Sequence, residues 1–152
     1  MLRADEPDDS IFFHTWKDVL PKQAGEAELA ARWKRLREIR AAVMKRLEET
    51  RASGAIGSSL QAEVAIEAGG ADLELLRSLG DDLRFVLITS KAQLRPSSGD
   101  GIVNIEVAAS PNPKCERCWH YRADVGGDAA HPTICGRCVS NLEGPGEERE
   151  HA

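Results

Sequence analysis

Lys114-Cys115-Glu116-Arg117-Cys118-Trp119-His120-Tyr121-Arg122 and, further on, Cys135-Gly136-Arg137-Cys138 together hold every cysteine of this 152-residue chain. The pattern is C-x2-C, sixteen residues, then C-x2-C, within the window of a structural metal site. Two residues between cysteines form a tight knuckle, and two knuckles supply four sulfurs for one tetrahedral ion. The expected ligands are Cys115, Cys118, Cys135 and Cys138, holding one structural Zn2+. With all four positions filled by protein sulfur, no coordination site stays open for water, which separates this pattern from catalytic zinc. The metal is there to fold its segment, since zinc binding to finger-sized peptides is worth about 10–16 kcal/mol at neutral pH.

Other readings of four cysteines fit less well. Two disulfides require an oxidising compartment, and the acidic start Met1-Leu2-Arg3-Ala4-Asp5-Glu6 is not the pattern of an export signal. The expected location is therefore the cytoplasm. A redox C-x-x-C wants one motif beside a βαβ unit, not two facing motifs. Iron suits the same four thiolates and stays open as an alternative to zinc. His120 is expected as a neighbour of the site rather than a ligand, and no His is followed two residues later by Glu, as in zinc deaminases.

Trp119 and Tyr121 lie among Lys114, Arg117, Arg122 and Arg137. Aromatic rings stack unpaired bases while guanidiniums take phosphates or base edges, so the mixture suits looped or single-stranded RNA. Trp119 packing over the metal sulfurs as a miniature core is the competing reading.

Outward from the knuckles the chain reads as α+β: a long helix packed on a small three-stranded sheet with a short helix, followed by the four-cysteine zinc ribbon. Residues 1–25 form an incoming strap carrying Ile11, Phe12, Phe13 and Trp16. Residues 26–54 are a basic amphipathic helix. Leu29, Trp33, Leu36, Val43 and Leu47 follow 3- and 4-residue steps, with Gly54 as a stop. Arg40 falls inside that stripe, where it must pair with an acid or reach past the interface. Residues 55–110 are a small α/β domain. Gln61–Glu67 alternates as a strand, and Asp72 is placed to cap a short helix through Leu73, Leu76 and Leu79. Leu83–Thr89 reads as a central strand, 92–101 as a loop, and Val103, Ile105 and Val107 as a third strand. The zinc ribbon spans 111–143 and an acidic tail 144–152.

The formal charge of −5 argues against a partner attracted by bulk positive charge, but its distribution argues otherwise. Between Arg32 and Arg51 eight bases face three acids, while residues 1–10 and 143–152 each stand at −3. No run of 18 apolar residues exists to span a membrane. No nucleophile–base constellation, phosphate-binding glycine loop or recognisable carboxylate pair appears, so no catalytic residue is assigned.

The sequence resembles the C-terminal region of bacterial-type isoleucyl-tRNA synthetases, the part on the anticodon side of the tRNA with its zinc finger. The blocks that carry the resemblance are Leu47-Glu48-Glu49-Thr50-Arg51, Ile56-Gly57-Ser58-Ser59-Leu60-Gln61-Ala62 and Phe85-Val86-Leu87-Ile88-Thr89-Ser90. The knuckle Lys114–Tyr121, the run Cys135-Gly136-Arg137-Cys138-Val139-Ser140-Asn141-Leu142 and the closing Gly146-Glu147-x-Arg149 complete it. In that family a Rossmann domain joins isoleucine to ATP and then to tRNA, a separate domain edits misacylated valine, and the C-terminal part holds the anticodon side. The H-I-G-H and K-M-S-K-S signatures of the catalytic domain are absent here. The resemblance therefore implies a tRNA-gripping, zinc-containing portion of a ligase, with ATP used only in the missing catalytic domain. The implied partners are the anticodon stem-loop side of tRNA and the remainder of the synthetase. The family's zinc ligands carry over onto the four cysteines, and its basic–aromatic RNA contacts onto Arg117 and Trp119; Arg122 and Arg137 are further candidates.

Two rival readings remain. Formamidopyrimidine-DNA glycosylases end in a similar four-cysteine hairpin that binds DNA, although they begin with an essential proline where this chain has Met1-Leu2. A stand-alone adaptor, in which zinc merely staples a small fold, is the third.

Overall fold

The computed structural model describes Phe12 and residues 24–147, and the chain divides into two compact units, Met1–Trp33 and Lys34–Ala152. Of the strap expected over 1–25 only Phe12, Ala24 and Gly25 are among the described residues, and of the tail only 144–147.

Helix α1 runs Glu26–Ala52. Glu26 and Glu28 lie in its first turn, where the positive end of the dipole favours carboxylates. Its stop is a paired-carbonyl cap. Gly54, at φ +79°, lets its own N–H reach the Arg51 carbonyl and that of Ala55 reach Thr50, at 3.0 and 3.2 Å. Leu36, Ile39, Val43 and Leu47 are buried and join one core with Val64, Ile66, Leu76, Leu83 and Leu87. Leu29 and Trp33 depart from the expected stripe, being 54% and 37% exposed. They belong to the first compact unit, and the core that α1 covers begins at Leu36. Arg40 is half-buried, and its Nε donates to the Val86 carbonyl at 2.9 Å rather than to an acid.

After a 3-10 turn at Ser59–Gln61 comes β1, Ala62–Gly69, the centre of a sheet ordered β2-β1-β3. Strand β2 (Lys91–Pro96) pairs with it in parallel and β3 (Gly101–Ala109) antiparallel. Between β1 and β2 lie α2 (Gly70–Arg77), a 3-10 turn at Gly80–Asp82 and α3 (Leu83–Leu87), the crossover that a parallel pair requires. The connection from β2 to β3 folds tightly over the end of β1. A Cβ on Gly69 would sit 1.8 Å from the Gly99 carbonyl oxygen, so that position admits only glycine.

Three local expectations are overturned within the α+β class. The stretch Leu83–Thr89, expected as a central strand, instead holds the helix α3 over Leu83–Leu87. A short apolar run does not distinguish the two by period. The helical choice buries Leu83 and Leu87, four residues apart, and ends with Ile88 at φ +57°. There the Ile88 and Thr89 N–H groups close on the Phe85 and Arg84 carbonyls at 3.1 and 2.9 Å. The loop expected over 92–101 is largely strand β2, whose Lys91, Gln93 and Arg95 face solvent and mask the alternation with half-buried Ala92 and Leu94. Asp72 is not a helix cap. Gly69 holds the N-cap position of α2, and Asp72 sits in its first turn.

There Asp72 accepts from Arg35 Nε at 2.8 Å and Nη2 at 2.7 Å, clamping α1 to α2. The hydrogen bonds from Arg35 hold the Asp72 carboxyl below its ordinary value of 3.8. A carboxylate depressed in the folded state stabilises fully above its unfolded pKa and loses that contribution as pH falls through the folded one. Asp72→Asn should cost about 1–2 kcal/mol at pH 7, the half-exposed Arg35 keeping the value below that of a buried pair. In urea unfolding curves the gap to wild type should narrow below 3.8; a gap constant down to strongly acid pH would contradict the clamp.

Candidate metal centre

Two short elements bring the cysteines together. Cys115 and Cys118 lie on a knuckle closed by the Lys114–Tyr121 bridge, in which the Cys115 N–H donates to the His120 carbonyl and the Trp119 N–H to the Cys115 carbonyl, both at 2.9 Å. Cys135 is the N-cap of α4 (Gly136–Glu143) and Cys138 lies in its first turn. All four are free thiols, and Cys115, Cys135 and Cys138 are fully buried. Their sulfurs lie within 4.8 Å of one another, with Cys115–Cys138 and Cys118–Cys135 at 3.7 Å. A tetrahedron with zinc–sulfur bonds of about 2.3 Å has sulfur–sulfur edges of about 3.8 Å, so the donor set and its spacing suit one structural zinc ion. Among the described residues no other group of His, Cys, Asp and Glu side chains gathers in this way.

The electrostatics point the same way. Burial pushes the Cys115 thiol up, but N–H groups of Cys118, Cys135 and Arg117 outweigh it and bring it down to about 6. Burial and the neighbouring sulfurs push Cys135 up to about 12, and burial raises Cys118 as well. Four thiolates so close oppose one another until a cation is among them, and a bound divalent ion reverses that order. Around the sulfurs, the Cys135 N–H approaches Cys115 Sγ at 3.3 Å and Arg117 Nη1 approaches Cys138 Sγ at 3.7 Å. Such donors orient and tune metal-bound sulfur. His120 contributes no ligand atom to the cluster. Its Nδ1 is 3.2 Å from the Cys118 carbonyl oxygen, and its ring meets Phe85 edge-on at 5.7 Å.

The candidate RNA-facing residues fall into two classes. Trp119 is 59% exposed, at φ +66°, its indole N–H donating to the Glu116 carbonyl at 3.1 Å. Lys114 Nζ lies 4.8 Å from the ring centroid, and Arg117, two residues earlier in the chain, is exposed. Arg122 and Arg137 turn inward. Arg122 pairs with Asp124 at 2.9 Å, and Arg137 grips both oxygens of Glu147. Asp124 also accepts from the Gly136 N–H at 3.2 Å, anchoring the start of α4. Neither Asp124 nor Ser90 carries a sequence signal for its part here. The Ser90 hydroxyl donates to the Leu60 carbonyl and accepts from the Tyr121 N–H at 2.6 Å, joining sheet to ribbon.

With this geometry in place, comparison with known proteins is decisive. A family model described as "Zinc finger found in FPG and IleRS" matches residues 112–141. Isoleucine–tRNA ligase of Bordetella pertussis (strain Tohama I) is 57% identical over 150 residues, covering 99% of this chain and 15% of the relative. The chain matches a segment of isoleucine–tRNA ligase. The ligases of Thiobacillus denitrificans (56% over 147 residues) and Bordetella avium (59% over 150) likewise cover 97% and 99% of the chain and 15% of their own length. The zinc-finger model alone spans both isoleucine–tRNA ligases and the glycosylase rival, whereas the end-to-end likeness is to the ligases. Among the described residues no helix is long and apolar enough to cross a membrane.

Among the described residues, the apolar side chains packed around the ribbon's cysteines are Ile134, Val125 and Val139, whereas the sheet and helices have a core of their own. Chelation of zinc should therefore collapse the amide NMR dispersion of residues 112–147 and leave Val64, Ile66 and Leu76 near their native positions. Loss of both sets together would show that the sheet depends on the metal.

Proposed function

We propose that this chain is the tRNA-binding, zinc-containing part of an isoleucine–tRNA ligase, gripping the anticodon side of the tRNA. ATP-dependent charging with isoleucine is carried out by the rest of the synthetase, its partner within the enzyme. Cys115, Cys118, Cys135 and Cys138 hold the zinc, which fixes the ribbon and leaves the chemistry of charging elsewhere. The observation that carries the reading is Trp119. A large aromatic held at a positive φ and left mostly in solvent is poor packing and good presentation, because strain of this kind concentrates where a backbone is over-determined for function. The anchored indole N–H fixes the ring plane and one face is flanked by the Lys114 ammonium, while Arg117, two residues earlier in the chain, is exposed. An unpaired base then stacks on the ring while the cations take neighbouring phosphates.

Trp119→Ala should weaken binding of tRNA by about 1–3 kcal/mol, the usual value of one base–aromatic stack. Adding Arg117→Ala should weaken it further, with zinc content and amide dispersion checked because Arg117 also touches Cys138 Sγ. Normal tRNA affinity in the folded, zinc-loaded double variant would sink the contact assignment. Preference for duplex DNA over tRNA at one salt concentration would favour the glycosylase-like reading instead.

A further inference from the structure

Between α3 and the ribbon lies a cleft of about 390 Å³ lined by Arg84, Phe85, Arg122, Arg137, Ser140 and Glu147, among others. Two guanidiniums share one ring there: Arg84 Cζ is 4.6 Å and Arg137 Cζ 5.0 Å from the Phe85 centroid. Arg84 is 13% exposed and its Nε is buried with no hydrogen-bond partner. Three arginines around one cleft repel each other, and each has an acid.

Two of those acids are local. Asp81 stands three residues before Arg84, and Asp124 two residues after Arg122, so the backbone delivers them regardless. Glu147 comes from outside the helix, across ten residues from Arg137. A dedicated turn brings it back. Gly146 at φ +85° donates to the Ser140 carbonyl at 3.1 Å, and the Glu147 N–H to Asn141 Oδ1 at 3.0 Å. Its two oxygens then meet Nε and Nη2 of Arg137, the fork that recognises carboxylate and phosphate alike. The Glu147 side chain is 22% exposed and reachable from solvent.

We propose that this cleft binds a phosphate of the RNA backbone, and that Glu147 occupies it as an internal competitor. A phosphodiester replaces the Glu147 carboxylate on Arg137, so one anion is exchanged for another and no net charge is buried. The inference rests on the RNA-binding reading above, and it gives the closing Gly146-Glu147 a task that the zinc site does not. It also turns Arg137 from a residue neutralised inside the ribbon into a second contact, apart from the Trp119 face.

The test uses the full zinc-loaded chain. Glu147→Gln leaves the shape and removes the competing charge. It should raise tRNA affinity on the order of 3–10-fold and steepen the slope of log affinity against log salt by about 0.7–0.9. Arg137→Ala in the Glu147→Gln background should abolish both changes. In parallel, inorganic phosphate should shift the Arg137 Nε–Hε resonance, more strongly in the Glu147→Gln protein. Unchanged or weaker tRNA binding by folded Glu147→Gln protein overturns the inference, even while Trp119→Ala still lowers affinity and upholds the RNA-binding reading. If no variant binds tRNA, the function proposed above fails. A phosphate-dependent Arg137 shift that grows when Glu147 is neutralised would still support the competition. If Glu147→Gln loses zinc or dispersion, wild type alone decides. Phosphate must then move the Arg137 and Glu147 signals together, and no movement overturns the proposal.

Discussion

Four sulfurs within 4.8 Å of one another repel as thiolates and waste their polarity as thiols, so the geometry of the ribbon is stable only around a cation. That constraint governs the rest of the segment. Residues 112–147 own almost no core, and their turns are set by where each cysteine must stand. The positive φ of Trp119 follows directly. Its N–H must return to the Cys115 carbonyl to close the knuckle, which leaves the indole no way back over the sulfurs. Closing the knuckle thus presents an aromatic ring to solvent, with its indole N–H anchored on the Glu116 carbonyl.

The sheet and helices answer to a different force. Leu36, Ile39, Val43 and Leu47 of α1 bury against β1 and the crossover helices, and burial at this density sustains itself without metal. Where the two regimes meet, the joints are polar and few. The Ser90 hydroxyl bridges the Leu60 carbonyl and the Tyr121 N–H, and the His120 ring packs on Phe85. Ser110 and Asn112 both donate to Glu63 Oε1, at 2.7 and 3.2 Å, as the chain leaves β3 for the ribbon. These bonds fix the orientation of the four-cysteine ribbon on the sheet and helices.

The metal site was fully legible in the sequence because spacing alone carries the chemistry: two C-x2-C knuckles have few other uses in a chain of this kind. The long helix was legible through period and its Gly54 stop. Leu83–Thr89 was not, since an uninterrupted apolar run carries no period, and the helix that forms depends on an isoleucine taking a conformation usually left to glycine. Strand β2 was hidden by its polar edge residues. Least legible were the pairings that shape the candidate RNA surface. Arg117, Arg122 and Arg137 look equivalent as letters, yet Arg117 is exposed while the others are held by Asp124 and Glu147. Which arginine faces outward is decided by tertiary geometry that no local pattern records.

The same pairing reshapes the charge argument. The basic count on α1 looked like a nucleic-acid face, but Arg35 is bound to Asp72 and Glu38, Arg46 to Glu49 and Arg51 to Glu48, and Arg40 is committed to a carbonyl. Glu38, Glu48 and Glu49 are already among the three acids set against eight bases, so only Asp72 lowers the helix's excess, and a net positive charge stays on α1 in surface pairs that are individually weak. On the proposed function, that excess adds a diffuse attraction for phosphates to the ribbon's directed contacts. The directed contacts are then the Trp119 ring, with Lys114 over its face, and Arg137, whose own acid must be displaced. On that proposal a chain of formal charge −5 holds RNA by stacking on Trp119 together with local positive charge. That favours a splayed loop over a regular duplex, because only unstacked bases can reach the ring.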